Sequence, residues 1–335
     1  MKHLSILTLA VLLGGTVIAA PDYRDETWRD TKRNRDVPVR IRMPSGDGPF
    51  PILLISHGLG GSRRGIGYLA EAARNAGWYC VNLQHAGSDE ALWKGQGGGT
   101  MLRLKTAIQS PEPALQRVRD VSFAIDNLAR LNQAQGKMKG KLRLDQIALA
   151  GHSFGAWTAY ASVGRKNAAS RRFAKRLNAP GPEKRIRAII ALSPQGEKTL
   201  AEEKRAVADI TVPSLNITGG NDTSRIQPDM VAERRRYSFD TLPGRARPAY
   251  LLWFDEADHM VFGGNERERQ RRFVSRKGKY DAQVQEIVGK ASVAFLKREV
   301  LGDKTSDLIT DAGKAKQLMQ GLGRVEVKRD EDIWD

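Results

Sequence analysis

Short apolar runs alternate with amphipathic stretches along most of this chain. The apolar runs, rich in β-branched and aromatic residues, are "FPILLISHG", "WYCVNLQH", "LDQIALAGHS", "IRAIIALS", "VPSLNITGG" and "AYLLWFDEADH". Nearly continuous apolar strands are typical of a parallel sheet that is covered on both faces. The more polar "TWRDTKRNRDVPVRIRMP" predicts two edge strands that turn at Asn34-Arg35-Asp36.

Helical patterns lie between these runs. The longest, "PALQRVRDVSFAIDNLARL", places Leu115, Val118, Val121, Ile125 and Leu128 on one face of a helix. The others are "IGYLAEAARNAG", "FGAWTAYASVG" and "DAQVQEIVGKASVAFLKREV". The alternation predicts an α/β fold with a doubly wound, mostly parallel sheet, helices on both faces and right-handed crossovers. Sites on such sheets lie at the carboxyl ends of the strands.

Some connecting segments are long enough to form small cap insertions over such a site. The candidates are 162–185, 195–211 and "RIQPDMVAERRRYSFDTLPGRARP". Four large side chains are compatible with a pocket wall and equally with ordinary core positions: Trp93, Trp157, Trp253 and Met260.

The run "LDQIALAGHS" passes into a helical pattern through Gly151-His152-Ser153-Phe154-Gly155. This G-x-S-x-G spacing places a serine on a strained turn from strand to helix, and the glycines remove Cβ atoms that would collide there. The side chain of Ser153 is then exposed above the sheet. Ser153 is therefore the candidate nucleophile, and an ordinary glycine-rich turn is the alternative.

A serine nucleophile needs a base, and the chain has five histidines. His152 is adjacent to Ser153 and is expected to point away from it. His259 follows the serine, in a predicted loop directly after "AYLLWFDEAD", and the order nucleophile, acid, histidine is the one expected on such a sheet. The others precede the serine: His3, His57 and His85. His259 is thus the candidate base, with a surface histidine of no catalytic role as the alternative.

The acid partner is expected between the serine and the histidine. Asp222 ends "VPSLNITGGND", where its carboxylate can turn from the strand end toward the imidazole of His259. There it would hold the tautomer and stabilise the imidazolium. The alternative is that Asp222 only caps the turn. Asp255 and Asp258 are nearer to His259 in the chain, but proximity in sequence does not establish the required geometry.

Attack on a carbonyl creates an oxyanion, which needs hydrogen-bond donors. "LISHGLGG", residues 54–61, supplies glycines directly after a strand, where backbone N–H groups can point into the site. The N–H groups of Leu59 and Phe154 are the candidates for this oxyanion hole. A phosphate-binding loop is disfavoured, because the lysine and the Ser/Thr of a P-loop are missing.

The chain of 335 residues begins with an apolar stretch after Lys2 that ends in Val17-Ile18-Ala19-Ala20. A basic start, a short apolar core and small residues at its end predict a secretory signal peptide over 1–19, with an uncleaved anchor as the alternative. We therefore expect export to the periplasm or the medium. The remainder divides into a catalytic domain over 20–300 and a C-terminal helix with a charged tail over 301–335.

The formal net charge is +17. A positive field attracts polyanions, so electrostatic contact with anionic surfaces is one interpretation and a merely solvated surface is the other. The basic clusters lack aromatic interleaving and nucleic-acid motifs, so no nucleic-acid partner is expected. They include "RKNAASRRFAKR", "ERRRY" and "RERQRRF". The single cysteine, Cys80, is predicted in a buried strand, and it excludes an intramolecular disulfide.

Taken in order, "WRDTKRNRDVPVRIRMP", "PILLISHGLGG", "GHSFGA", "ITGGND" and "ADH" resemble the α/β-hydrolase family over residues 24–300. Within it, the chain is similar to dienelactone-hydrolase-like and platelet-activating-factor-acetylhydrolase-like esterases. Dienelactone hydrolases have a cysteine nucleophile where this chain has Ser153. The acetylhydrolase acid follows an earlier strand, and here the corresponding "IIALSPQG" has no carboxylate near its strand end.

The resemblance implies hydrolysis of carboxylic esters through an acyl-enzyme on Ser153, without a metal or organic cofactor. The substrate would be a small-molecule or lipid ester. A small-ester carboxylesterase, a lipase or polyester hydrolase acting on aggregated substrate, and an amidase stay open, because specificity lies in loop shape. A non-catalytic protein that uses the same scaffold to bind anionic surfaces is the alternative from another class.

Overall fold

The computed structural model describes residues 22–95, 97–166, 180–224, 226–244, 248–264 and 276–328, and for 276–278 the backbone alone. The predicted signal peptide over 1–19 lies outside the described residues. Within these ranges no helix is both long and apolar enough to cross a membrane.

All of the predicted strands form, and one further strand closes the sheet. The strands are β1 (Arg24–Asp30), β2 (Arg35–Arg42), β3 (Phe50–Ser56), β4 (Tyr79–Leu83), β5 (Leu142–His152), β6 (Ile186–Leu192), β7 (Ser214–Asn221), β8 (Ala249–Asp258) and β9 (Gly323–Lys328). Their order across the sheet is β1-β2-β4-β3-β5-β6-β7-β8-β9. The block from β4 to β8 is parallel, and β1, β2 and β9 add antiparallel edges.

Helices follow most strands of the parallel block. They are α1 (Gly67–Asn75), α2 (Thr100–Gln109), α3 (Pro111–Gln133), α4 (Phe154–Ser162), α5 (Leu200–Ala206), α6 (Ala232–Arg235), α7 (Tyr237–Thr241), α8 (His259–Gly263), α9 (Arg276–Glu299) and α10 (Ala312–Met319). A short 3₁₀ turn, Glu90–Leu92, precedes α2. The fold is the doubly wound α/β sheet that the alternating pattern predicts.

Two apolar cores cover the sheet, one on each face. In β3, Ile52 and Leu54 pack with α3 and α4, whereas Leu53 and Ile55 pack with α1, α9 and α10. Both sets are fully buried because a central parallel strand contacts helices on both sides. Cys80 lies in β4 and is buried as predicted, and burial raises the pKa of its thiol to about 12.

Three local predictions were incomplete. The turn between the edge strands comes earlier than expected, since β1 ends at Asp30 and β2 begins at Arg35. Helix α2 was not predicted. The segment after 300 contains the expected helix, α10, but β9 follows it and pairs with β8, opposing Arg324 to Trp253. β9 therefore adds an antiparallel edge to the sheet, and the division of the chain at residue 300 stays a prediction. The last residues, 329–335, lie outside the described part.

Candidate active site

Ser153 occupies the sharp turn between β5 and α4. Its backbone has φ 55° and ψ −114°, a conformation that is strained for any residue with a Cβ atom. A Cβ on Gly151 would overlap the carbonyl of Gly155, and a Cβ on Gly155 would overlap the carbonyl of Ser56. The two glycines of the motif are thus needed for close packing of backbone on backbone. The N–H of Ser153 donates to the Leu192 carbonyl at 2.8 Å, which ties the turn to β6.

Asp222 and His259 meet above the ends of two neighbouring strands. His259 Nδ1 lies 2.7 Å from Asp222 Oδ1, which is hydrogen-bonding distance. An ionised carboxylate is only an acceptor, so Nδ1 carries the proton and Nε2 is free to accept one. β7 and β8 are paired in parallel, and Asn221 opposes Asp258 at their ends. The sheet order therefore brings together two residues that are 37 positions apart.

The carboxylate of Asp222 is fully buried. Its Oδ2 accepts a hydrogen bond from Thr218 Oγ1 at 2.8 Å, and the guanidinium of Arg235 lies 3.1 Å from Oδ1. Burial by itself would raise the pKa of Asp222, but the hydrogen bond from His259 and the charge of Arg235 lower it to about 2. Asp222 is therefore a carboxylate at every pH at which the protein is expected to work.

His259 is the first residue of α8, a one-turn helix where the sequence predicted a loop. Asp258 caps this helix, and its Oδ1 accepts from the N–H groups of Met260 and Val261 at 3.0 and 3.1 Å. Asp255 lies 3.9 Å from Arg324 on β9. Neither carboxylate adjacent to His259 in sequence makes the contact with its ring that Asp222 makes.

His152, expected to point away from the site, packs against His259. The two ring centroids are 4.7 Å apart, and His152 Nε2 donates to the His259 carbonyl at 2.9 Å. Burial and the neighbouring His259 lower the pKa of His152 to about 3. His152 is thus a neutral side chain that supports the backbone of α8.

A cavity of about 760 Å³ opens over these residues, and both Ser153 and His259 line it. Leu59 lines it as well, on the loop after β3. Part of the wall comes from the segment that contains the 3₁₀ turn and α2, which the sequence did not predict to form a cap. Its lining residues are Glu90, Trp93, Lys94, Met101, Leu104 and Ile108. Another depression, of about 720 Å³, lies between α1 and α9 and contains none of the predicted site residues.

The expected cap segments contribute less to this cavity. Among the described residues of 225–248, Ile226 and Gln227 alone line it, and from 195–211 only Gln195 does. Most of the third segment, 167–179, lies outside the described residues. Of the four large candidate side chains, Trp93 and Met260 line the cavity, while Trp157 and Trp253 do not.

The backbone around the two candidate oxyanion donors is held by local contacts. Phe154 is the first residue of α4, so its N–H has no acceptor within the helix. Next to Leu59, Gly60 has φ 71°, its N–H donates to the Ser88 carbonyl at 2.9 Å, and its carbonyl accepts from Trp93 Nε1 at 2.7 Å. The loop that carries Leu59 is therefore held from both sides.

A buried polar network lies beneath this loop, and sequence reasoning missed it. His85 Nε2 lies 3.0 Å from Ser56 Oγ, and His85 Nδ1 lies 3.0 Å from Asp120 Oδ2. The backbone N–H of His85 donates to His57 Nε2 at 3.0 Å. All four side chains are buried. Burial and Arg117 lower the pKa of His85 to about 4, so this second Ser-His-Asp arrangement is neutral at its histidine and supports structure.

Arg117 links the network to the sharp turn Gly151–Gly155 that carries Ser153, which is called the elbow from here on. Its guanidinium is fully buried, donates to the His57 carbonyl at 2.7 Å and to Ser88 Oγ at 2.8 Å, and lies 4.3 Å from the ring centroid of Phe154. Burial lowers the pKa of Arg117 to about 9. The placement of His57 and His85 at strand ends was visible in the sequence, but nothing there paired them with Asp120 and Arg117.

Comparison with family models finds a match to the alpha/beta hydrolase family over residues 52–315. The match covers the elbow, Asp222, His259 and most of the sheet. Comparison with curated proteins finds no match. Within the described ranges, no group of three His, Cys, Asp or Glu side chains is placed to hold a metal ion.

Proposed function

The chain belongs to the alpha/beta hydrolase family, whose members are generally hydrolases, and we propose that it hydrolyses carboxylic esters through an acyl-enzyme on Ser153. The observation that carries the proposal is the His259–Asp222 hydrogen bond of 2.7 Å beside an elbow serine that opens into the same cavity. The similarity to dienelactone-hydrolase-like and platelet-activating-factor-acetylhydrolase-like esterases belongs to this proposal. So does export by a signal peptide over 1–19.

In this mechanism His259 Nε2 takes the hydroxyl proton of Ser153 as Oγ attacks the ester carbonyl. Asp222 holds the imidazole through Nδ1 and stabilises the imidazolium. His259 then gives the proton to the leaving alcohol, and water repeats the sequence on the acyl-enzyme. The chemistry is completed by these side chains and water.

The developing oxyanion is stabilised by the N–H groups of Leu59 and Phe154. Each donor of this kind is worth roughly 3 kcal/mol of transition-state stabilisation. The Leu59 loop is held by Trp93 and by the network around Arg117. The direction of the Phe154 N–H is fixed because Phe154 is the first residue of α4. Rigid donors lower the barrier because they need no reorganisation during the reaction.

The test is turnover of p-nitrophenyl esters with acyl chains of two to sixteen carbons, together with labelling by a fluorophosphonate. We expect hydrolysis of at least part of the series and a single labelled peptide that contains Ser153. Hydrolysis without labelling of Ser153 would place the chemistry elsewhere. The absence of both hydrolysis and labelling would favour the non-catalytic alternative. Salt-sensitive binding to anionic liposomes would then test that alternative.

The rim of the cavity favours a second candidate, an ester hydrolase for aggregated or polymeric substrate. Large apolar side chains are exposed there, Trp93 by 46%, Met101 by 47% and Met260 by 48%. Exposed apolar patches of this kind commonly mark binding surfaces. A rate that rises when a long-chain ester passes its solubility limit would support this candidate, whereas an optimum at short soluble acyl chains would support the small-ester enzyme.

Trp93 contributes both to the oxyanion loop and to the cavity wall. Trp93→Phe removes the hydrogen bond to the Gly60 carbonyl and is expected to lower kcat about fivefold, the equivalent of about 1 kcal/mol. Trp93→Ala also removes the apolar wall and should raise KM for long acyl chains. Steady-state kinetics on two acyl lengths separate these effects, and a Phe variant with wild-type kcat would show that the hydrogen bond does not support the loop.

A further inference from the structure

The three arginines of the basic cluster "ERRRY" all form ion pairs with carboxylates of the protein. Arg234 pairs with Asp229 at 2.9 Å, and Arg236 pairs with Asp240 at 2.9 Å. Arg235, between them, turns inward and is 1% exposed. A charge that sequence analysis counted toward a surface field is therefore buried behind the candidate active site.

Arg235 joins the ends of two neighbouring strands. Its Nε lies 3.1 Å from Asp222 Oδ1 and donates to the Asp222 carbonyl at 3.1 Å. Its Nη1 donates to the Ser193 carbonyl at 3.1 Å, and Ser193 follows β6. The guanidinium thus contacts both the carboxylate and the backbone that carries it.

Stability does not by itself account for this pair. Both side chains are buried, the Arg235 side chain with 1% exposure and the Asp222 side chain with none. The desolvation of a buried ion pair commonly equals or exceeds its attraction. What the geometry does produce is a cation that cannot be deprotonated in contact with the oxygen that accepts from His259 Nδ1.

We propose that Arg235 is a positioning residue that acts through Asp222: it holds the carboxylate ionised and aimed at His259, and it weakens the attraction of that carboxylate for the proton that His259 takes up. The inference rests on the proposed function. A carboxylate whose charge is partly offset stabilises an imidazolium less. The acid limb of the activity profile is consequently expected at lower pH than it would have without Arg235.

Among the described residues, two other titratable side chains lie next to the imidazole in space or in the chain. His152 is held neutral, and Asp258 caps α8 with its carboxylate. From α9, the contact to α8 is made by the uncharged Gln285, which donates to the Val261 carbonyl at 2.9 Å. Arg64 and Lys94 line the same cavity, and each pairs with Glu90, at 2.6 and 3.7 Å.

The test is the pH profile of kcat/KM for a p-nitrophenyl ester, and of the fluorophosphonate labelling rate, in wild type and Arg235→Gln. We expect the midpoint of the acid limb to rise by about one pH unit in the variant. The reason is that a unit charge 3.1 Å from the carboxylate of Asp222 changes the electrostatic energy at the neighbouring imidazole by about the equivalent of one pH unit. A purely structural role would lower kcat and leave the midpoint unchanged. Arg236→Gln removes the same charge from the same segment without touching Asp222, and its midpoint is expected to match wild type.

Arg235→Met covers the case in which the Gln variant does not fold. Its side chain is neutral and fills much of the same buried space, so the same rise is expected. An unchanged midpoint in whichever variant folds overturns the inference. Wild type is measured beside the variants, so failure of the proposed function can be distinguished from failure of this inference. A wild type that is inactive and unlabelled counts against the proposed function. An active wild type, together with variants whose acid-limb midpoint is unchanged, counts only against the role of Arg235.

Discussion

Replacing Ser153 with alanine is expected to lower kcat for ester hydrolysis by about 10⁶-fold and to leave the fold unchanged, since removal of a serine nucleophile has an effect of this size in serine hydrolases. Alanine keeps the Cβ atom, so the strained conformation at φ 55° is retained with its cost. Kinetics together with a thermal unfolding curve check both halves of the expectation.

The same position offers a second readout. Ser153→Gly is expected to be as inactive as Ser153→Ala but more stable by about 1 kcal/mol, because glycine relieves the backbone strain. Ser162→Ala is the matched control: this serine ends the same helix, its buried hydroxyl makes no hydrogen bond among the described residues, and activity should be kept. An alanine variant at Ser153 that still turns over at near wild-type rate would remove it as nucleophile.

Replacing Asp120 with alanine is expected to destabilise the protein by about 3–5 kcal/mol, because it leaves two partly buried arginines and a buried histidine without their shared acceptor. Asp120 is fully buried and accepts from Arg33 Nη1 at 2.8 Å, from Arg35 Nε at 2.9 Å and from His85 Nδ1 at 3.0 Å. Typical domains have a free energy of unfolding of only about 5–15 kcal/mol. The loss is therefore a large part of the total, and urea unfolding monitored by circular dichroism measures it.

The contribution of Asp120 to the free energy of unfolding should decrease at low pH. Burial by itself would raise the pKa of Asp120, but the hydrogen bond from His85 and the charge of Arg35 lower it to about 2. A depressed pKa contributes stability that is fully present above the unfolded value near 4 and is lost as the pH falls toward 2. The difference in unfolding free energy between wild type and the alanine variant should narrow over that window.

Asp126 provides the control for Asp120, because it lies on the same helix and also pairs with an arginine. Its side chain is 67% exposed, at 2.7 Å from Arg185. A surface pair of this kind contributes about 0–1 kcal/mol. Equal effects of Asp126→Ala and Asp120→Ala would contradict the importance that we give to the buried network.

The elbow was predictable from sequence because its requirement is local. A serine in this backbone conformation needs small residues at Gly151 and Gly155, and the apolar strand before it and the helix after it are adjacent in the chain. The pairing of Asp222 with His259 was predictable only in outline. Each lies at a strand end, but their contact depends on β7 and β8 being neighbours in the sheet.

The cavity wall was not predictable in the same way. α2 has a single buried residue, Ala107, because apolar side chains such as Met101 and Leu104 line the cavity instead of a core. β9 has only a weak alternation of apolar residues, at Val325 and Val327. This pattern forms a strand because β8 offers an unpaired edge to which it can hydrogen-bond. Such segments are stabilised by what they pack against, and that partner is distant in sequence.

Sequence alone determined the strand and helix periodicity, the strained serine and the chain order of the candidate residues, because each depends on neighbours a few positions apart. Tertiary structure alone decided which charges are buried. Arg117, Asp120 and Arg235 look like ordinary polar residues in the sequence, yet the fold encloses each of them beside the candidate active site. Whether a charged side chain faces water or the interior depends on the elements packed over it, and that is a property of the assembled sheet.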